Sequence, residues 1–494
     1  MRRNPWIGAA AIALLLGALP VLAADPEGPA HSATAGLDQA TLVQALQNGS
    51  LSNQDARKLG LLVFSTPFNT YDGLGDGPWR SDEPDPVMLG HRPTLQGNGT
   101  FLRVNGLDAQ SCNECHTVVS NRTLPPTTGI AGVGGVVQNA IIMPSLIDVA
   151  DSFDNRVVYQ PLHVPDLVMN WDGVADYNGR FANPPFLFGG GGTELLAKEM
   201  TYDLQQLLAQ AEAAPAGTVI SLDTHGVSFG TVTSLGGTNV QIDNQGIDTD
   251  LVVKPFGRKG ENFSMRDFDR GAMQFHFGIQ PQELFLNDPD NDKDGVSNEV
   301  SIAEMSVLHI FDVNNPKPRV VVTDPAAVVG AGVFATIGCT YCHRPFLKTT
   351  HRVVPLSYPE IKEDPTTNIY YTVNLVQVGF APDPFGPGVI VPFYSDLKRH
   401  YMGPGLEETF ERAGEIPQGD FVTARLWGIA DTAPYLHDGR ATTLYQAISM
   451  HGGEAQQARN NFMALPQFLK NALVAFLKTQ RAPSHPNEDL LPIQ

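Results

Sequence analysis

All four cysteines of the chain fall in two clusters of one pattern. Cys112-Asn-Glu-Cys115-His116 is the first, and Cys339-Thr-Tyr-Cys342-His343 is the second. Each reads Cys-x-x-Cys-His, the spacing of a c-type haem attachment. Two thiols at that spacing reach the two vinyl groups on one porphyrin edge. The histidine that follows turns under the ring and offers an axial nitrogen to iron. Three other chemistries compete. A disulfide framework belongs to small exported chains with scattered cysteines. A thioredoxin-like pair needs a βαβ context and no histidine. A zinc site would have to join two pairs that lie 227 residues apart. Two complete motifs that use every cysteine favour two covalently bound haems c, with His116 and His343 on the irons.

Each iron has a second axial position. Residues 441–453 read ATTLYQAISMHGG. Thr442 or Thr443 can cap a helix start, and Gly452-Gly453 can end it. Between them Leu444, Ala447, Ile448 and His451 share one helical face. A histidine closing a buried apolar face needs a partner for its ring nitrogen, and the second iron is such a partner. Met402 is the rival, 59 residues after His343. For the first iron Met143, Met169 and His163 are candidates, and none stands out. Glu199, on a segment of helical composition, is the candidate acid/base group; its alternative is a solvated helix carboxylate.

These residues need elements to hold them. Residues 24–60 read as polar helix, and 61–135 as Gly-, Pro- and Asp-rich loops around the first motif. Leu195 to Ala213 reads as helix. Residues 217–255 switch to strand-type alternation with glycine turns. Leu465, Phe468, Leu469, Leu473, Phe476 and Leu477 make one apolar stripe on a last helix, after which the Pro-rich tail is expected to fray. The chain has 494 residues, two to three domains at roughly 150 residues each. With 42% hydrophobic and 17% charged residues it can bury a sizeable core. A net charge of −20 repels nucleic acid and suits a cationic partner or simple solubility. Arg2 and Arg3, the apolar run from Ile7 to Leu19, and Val21-Leu22-Ala23 read as a cleaved signal peptide. That run is shorter than the roughly 20 residues a membrane span needs. Export to the periplasm without a transmembrane anchor is therefore expected.

Residues 288–299 read DPDNDKDGVSNE. Asp290, Asp292 and Asp294 followed by Gly295 match the first half of an EF-hand loop, where alternate carboxylates converge on calcium. The twelfth position is Ser301 rather than Glu; Glu299 or Asn298 could substitute. The alternative is a solvated acidic turn.

Leu426-Trp427-Gly428, then Ala433-Pro434-Tyr435-Leu436-His437-Asp438-Gly439-Arg440, Thr443-Leu444, Ala447-Ile448 and His451-Gly452-Gly453-Glu454-Ala455, resemble the bacterial di-haem oxidoreductase family. That family carries the peroxidase or "thiol oxidoreductase" label and is similar to di-haem cytochrome c peroxidases and to enzymes that mature tryptophylquinone cofactors. Lys254 to Gly260 and Phe275-His276-Phe277-Gly278-Ile279 are further matching stretches. The resemblance implies an axial ligand fourteen positions after His437, a Met in the peroxidases and His451 here. It implies that Trp171-Asp172-Gly173 lies between the haems. It also implies that Glu199, which precedes Met200, is the catalytic carboxylate, although the Trp-to-Glu interval is longer here.

The expected fold is mainly α, with two cytochrome c-like haem domains, a small β insertion and long loops. The boundaries are 1–23 for the signal peptide, 24–216 for the first haem domain, 217–324 for the insertion with its Asp-rich loop, and 325–494 for the second haem domain. The expected function is a peroxidase-like di-haem oxidoreductase with a small redox protein as partner. Electrons would enter at the haem of His343 and His451 and pass to the haem of His116. Peroxide would be cleaved there, and Glu199 would move protons. A pure electron-transfer cytochrome and a di-haem oxygenase or cofactor-maturing enzyme are the alternatives.

Overall fold

In a computed structural model of the chain, residues 37–75, 109–116, 118, 141–145, 162–165, 174–407 and 416–491 are described, with backbone alone for 141–145, 162–165 and 174–182. The signal segment, Met169 and Trp171-Asp172-Gly173 lie outside these residues, and the side chains of Met143 and His163 do too.

Helices carry the positioning role. Helix α1 (Gln39–Gln47) and helix α2 (Asn53–Ser65) start on Asp38 and Ser52, whose side chains accept from the first free backbone N–H groups. Helix α3 spans Gly190–Ala213, and α4 (Met265–Ala272) runs on into a π turn at Met273–Phe277. Helix α5 (Ile302–Val313) is the central strut. Its start is closed by a reciprocal Ser301–Glu304 capping box, and Ala303 to Val313 are all buried. Helix α2 crosses α5 so closely that a Cβ on Gly60 would lie 2.2 Å from the Val307 carbonyl oxygen. Phe64 and Phe311 stack beside that crossing at 5.4 Å. Each such ring contributes roughly 1.5–3 kcal/mol on full burial.

The expected β insertion is a three-stranded antiparallel meander of Val219–Thr224, Val227–Gly236 and Asn239–Asn244. Leu222, Val227, Phe229 and Val232 are its buried apolar side chains. The mainly-α expectation holds only in part. After α6 (Ala326–Thr336) and the second Cys-x-x-Cys-His motif, the chain from 347 to 422 forms short paired strands rather than helices. The physical reason is composition: runs such as Val353-Val354-Pro355-Leu356 and Ile369-Tyr-Tyr-Thr-Val alternate with Pro and Gly, which favours strands and turns over helix.

Helix α7 (Leu444–Met450), α8 (Gln456–Ala464) and α9 (Gln467–Leu477) close the second core with α6. Phe334, Ile337, Leu426, Leu444, Phe462, Leu473 and Leu477 are its buried members. Phe468 departs from the expected stripe and is 69% exposed; the buried face of α9 is carried by Ala472, Leu473 and Leu477 instead. The tail does not fray as expected up to residue 491. Gln480–Arg481 pairs with Arg319–Val320, and the Arg57 guanidinium holds Asn487 and Asp489. No helix of the described residues is long and apolar enough to cross a membrane.

Candidate functional site

Each cysteine motif folds as one tight turn. Cys112–Glu114 and Cys339–Tyr341 are 3-10 turns, and the first cysteine carbonyl also accepts the histidine N–H four residues on, at 2.8 Å from His116 and 3.0 Å from His343. The turn thereby places both thiols and the imidazole around one spot. None of the four cysteines is in a disulfide. Burial, and then Asp269 and Asp312, push the Cys112 thiol well above its ordinary value. Burial pushes Cys339 up to about 12. Redox-active cysteine pairs have depressed values, so a thioredoxin-like role does not fit.

Both turns open into one cavity of about 1140 Å³. That exceeds the roughly 300–1,000 Å³ of a single-ligand pocket. Cys112, His116, Cys339 and His343 line it, and so do His276, Met402, Arg425, Trp427 and His451. Within it each motif histidine has a second histidine near enough for its charge to count. His343 is pulled down to about 4 by burial and then by His451. His116 is pulled down to about 3 by burial and then by His276. Neutral imidazoles are what iron ligation requires.

Hydrogen bonding fixes which nitrogen is available. His343 Nδ1 lies 3.0 Å from the Tyr394 carbonyl oxygen and His451 Nδ1 2.8 Å from that of Ala447. A carbonyl only accepts, so Nδ1 carries the proton in both rings and Nε2 keeps its lone pair. His116 likewise bonds the backbone of Pro185, whose only polar group is its carbonyl. His451 is the residue that ends α7, whose start is the expected Thr443 cap with Gln446. Met402 also lines the cavity.

His276 is the residue that sequence reasoning passed over as one letter of a matching stretch. It sits in the π turn after α4, a geometry common at functional sites. The signal was an aromatic-His-aromatic run closed by Gly278, which has a φ of 67°.

Half-buried Arg425 and buried Asp269 complete the walls. Burial pulls Arg425 down to about 10. Its guanidinium donates to Thr193 Oγ1 and the Phe186 carbonyl, both at 3.2 Å, and lies over the Phe256 ring. Among the described residues it makes no ion pair, so an anionic group in the cavity would suit it, and a haem carboxylate is one. Asp269, on α4 and lining the cavity, shares a hydrogen bond with Asp312 of α5. Burial, then the like charge beside it, push Asp269 well up, so the pair holds a proton at neutral pH. His400 is not a ligand candidate, because Asp396 (2.8 Å) and Glu454 (2.7 Å) occupy both ring nitrogens.

Glu199 is placed elsewhere. Its carboxylate accepts from the backbone of Thr350 and His351, with His225 at 3.5 Å, and it does not line the cavity. A proton role at either haem does not follow from that position. Asp290, Asp292 and Asp294 converge in a separate loop.

Residues 384–480 match one family model, described as "Di-haem oxidoreductase, putative peroxidase". The matching segment contains Met402, Arg425, Trp427 and His451, while both cysteine motifs lie upstream of it. No curated protein matches the chain. Among solved structures, hydrazine synthase of Kuenenia stuttgartiensis, under 20 bar xenon, is 16% identical, with 59% of this chain and 87% of that chain covered at a TM-score of 0.25. A MauG-like protein associated with microbial copper homeostasis is 14% identical, with 66% and 94% covered at a TM-score of 0.27. Scores this low establish no common fold.

Proposed function

We propose that the chain is an exported, periplasmic di-haem c-type oxidoreductase that reduces peroxide with electrons from a small redox protein. The observation that carries this reading is the one cavity lined by both Cys-x-x-Cys-His turns and by two further histidines, His276 and His451. Cys112 and Cys115 would hold one haem covalently and Cys339 and Cys342 the other. His116 and His343 would be the proximal ligands, with His451 as the second ligand at the C-terminal site. The haems supply the electron storage and the peroxide-cleaving chemistry: hydrogen peroxide, two electrons and two protons give two waters. We place the arrival of electrons at the site of His343 and His451, which would both hold the haem there, and peroxide at the site of His116. Arg425 would neutralise an anionic haem edge. Asp269 and Asp312, rather than Glu199, are placed to hold a proton at the cavity wall.

His276 favours a second reading. If it closes the His116 iron, both sites are six-coordinate and the chain is an electron carrier. Electron paramagnetic resonance of the resting protein, repeated after adding peroxide, separates the two. On the peroxidase reading, peroxide should change the spectrum and oxidise reduced donor, and His276→Ala should leave the resting spin state as it is; on the carrier reading, peroxide should change nothing and His276→Ala should make the His116 haem high-spin. A wild-type protein inert to peroxide in both redox states would overturn the peroxidase reading.

A further inference from the structure

The loop from 288 to 299 takes no part in the haem chemistry, and its carboxylates have an unmet requirement. One oxygen from each of Asp290, Asp292 and Asp294 lies within 4.8 Å of the others, and Asp292 is fully buried. The Lys293 ammonium beside them turns outward to Asp288 and to the Asp290 carbonyl. Convergent acids at a surface turn are common without an ion, so the decisive residue is Glu299. It is 3% exposed. Its Oε2 accepts the Gln280 N–H at 2.7 Å, while its Oε1 is buried without a hydrogen-bond partner. Gln280, which donates that N–H, accepts the Asn291 N–H on its own side-chain oxygen at 3.2 Å, so Glu299 is tied to the loop that carries the three aspartates. A buried carboxylate oxygen with no donor is costly, and a bound cation removes that cost.

We propose that Asp290, Asp292, Asp294 and Glu299 form a calcium site, with Glu299 standing in for the twelfth-position ligand of an EF-hand loop. The donors are all hard oxygens, and Gly295 supplies the left-handed turn at the sixth position with a φ of 94°. The ordinary twelfth position is Ser301, but its hydroxyl is spent on capping α5 with Glu304. The carboxylate is therefore recruited two residues earlier. The ion would also lock Glu299 against the N-terminal segment. A Cβ on Gly73 would lie 2.3 Å from the Glu299 side chain, and the Gly75 N–H bonds the Phe277 carbonyl at the end of the π turn that bears His276.

The test uses the whole haem-loaded protein, stripped with chelator and titrated with calcium chloride by calorimetry, with magnesium chloride as a separate arm. One calcium per chain should bind, and the melting temperature should rise with it. Glu299→Gln and Asp292→Asn should each weaken binding about tenfold or more. Should a variant fail to fold, terbium luminescence on the stripped wild type reads the same site directly. Absence of calcium heat and of any melting shift in the wild type overturns the site. Magnesium binding as tight as calcium overturns the assignment to calcium.

Discussion

His451→Ala separates the two candidates for the second haem. The wild-type ring is half-buried, and its Nδ1–H is spent on Ala447. Truncation leaves that carbonyl without its side-chain donor, a cost of about 1–3 kcal/mol. At about 2–4 °C per kcal/mol for a 150–250-residue domain, melting should fall by a few degrees with the fold retained. The spectral change should be larger. Loss of Nε2 opposite His343 should convert that haem from low-spin to high-spin or water-ligated and leave the His116 haem unchanged. Met402→Ala should do little. Its backbone anchor, a 2.7 Å bond from the Met402 N–H to the Gly419 carbonyl, survives the substitution. A bis-His haem should also have a lower potential than a His/Met haem, because imidazole donates more strongly to ferric iron. Optical and electron paramagnetic resonance spectra of both variants decide the matter. If Met402→Ala abolishes the low-spin signal while His451→Ala keeps it, the reasoning from the ring's hydrogen bonding is refuted.

Covalent attachment is checked by counting: the wild type should carry two haems that survive denaturation on a stained gel, and Cys112→Ala with Cys115→Ala should leave one. A wild-type count other than two would falsify the attachment reading. The second concerns Glu194, fully buried between Lys198 (2.6 Å) and His309 (3.0 Å). Burial raises its pKa, but Lys198 and then His309 outweigh that and hold it well below the carboxylate range. A depressed carboxylate stabilises the fold above its unfolded value near roughly 4.3 and loses that contribution as pH falls. Glu194→Gln removes the nearer carboxylate of buried Lys198, whose other one, on Glu360, lies at 3.9 Å; it should cost up to about 3–5 kcal/mol at neutral pH and flatten the acid limb of melting temperature against pH. An unchanged acid limb would contradict it.

What was legible in the sequence was local chemistry. The two Cys-x-x-Cys-His motifs need only five consecutive residues each, so spacing alone located the two turns that line the cavity. His451 was legible because α7 keeps a helical period from its Thr443 cap onward. The meander was legible because strand alternation survives over Val219 to Asn244. What escaped depends on distant contacts or broken periods. His276 lies where α4 loosens into a π turn, and no regular periodicity points at it. Glu199 offered only its neighbour Met200 as a clue, whereas its position is fixed by the backbone of Thr350 and His351, about 150 residues away. Phe468 fits the stripe on paper, but it lies near the start of α9, where its side chain reaches solvent.

The segment matching the di-haem family contains neither attachment motif, yet it touches both sites, and its packing says why. Leu426 is buried in the second core with Phe334, Leu444 and Phe462, while the next residue, Trp427, is buried in the first, against Phe380 and Phe393. The indole N–H donates to the Pro392 carbonyl at 2.6 Å, which fixes the ring. A Cβ on the following Gly428 would lie 2.5 Å from the Phe186 ring, so only glycine lets the chain pass there. Phe186 adjoins Pro185, whose carbonyl holds the His116 ring. Arg425, one residue before Leu426, bonds the Phe186 carbonyl as well. Four consecutive residues therefore join the His116 wall to the core that carries Cys339 and His451. The separation of the two sites is set by close packing rather than by a flexible link, as efficient transfer between two fixed redox groups would need.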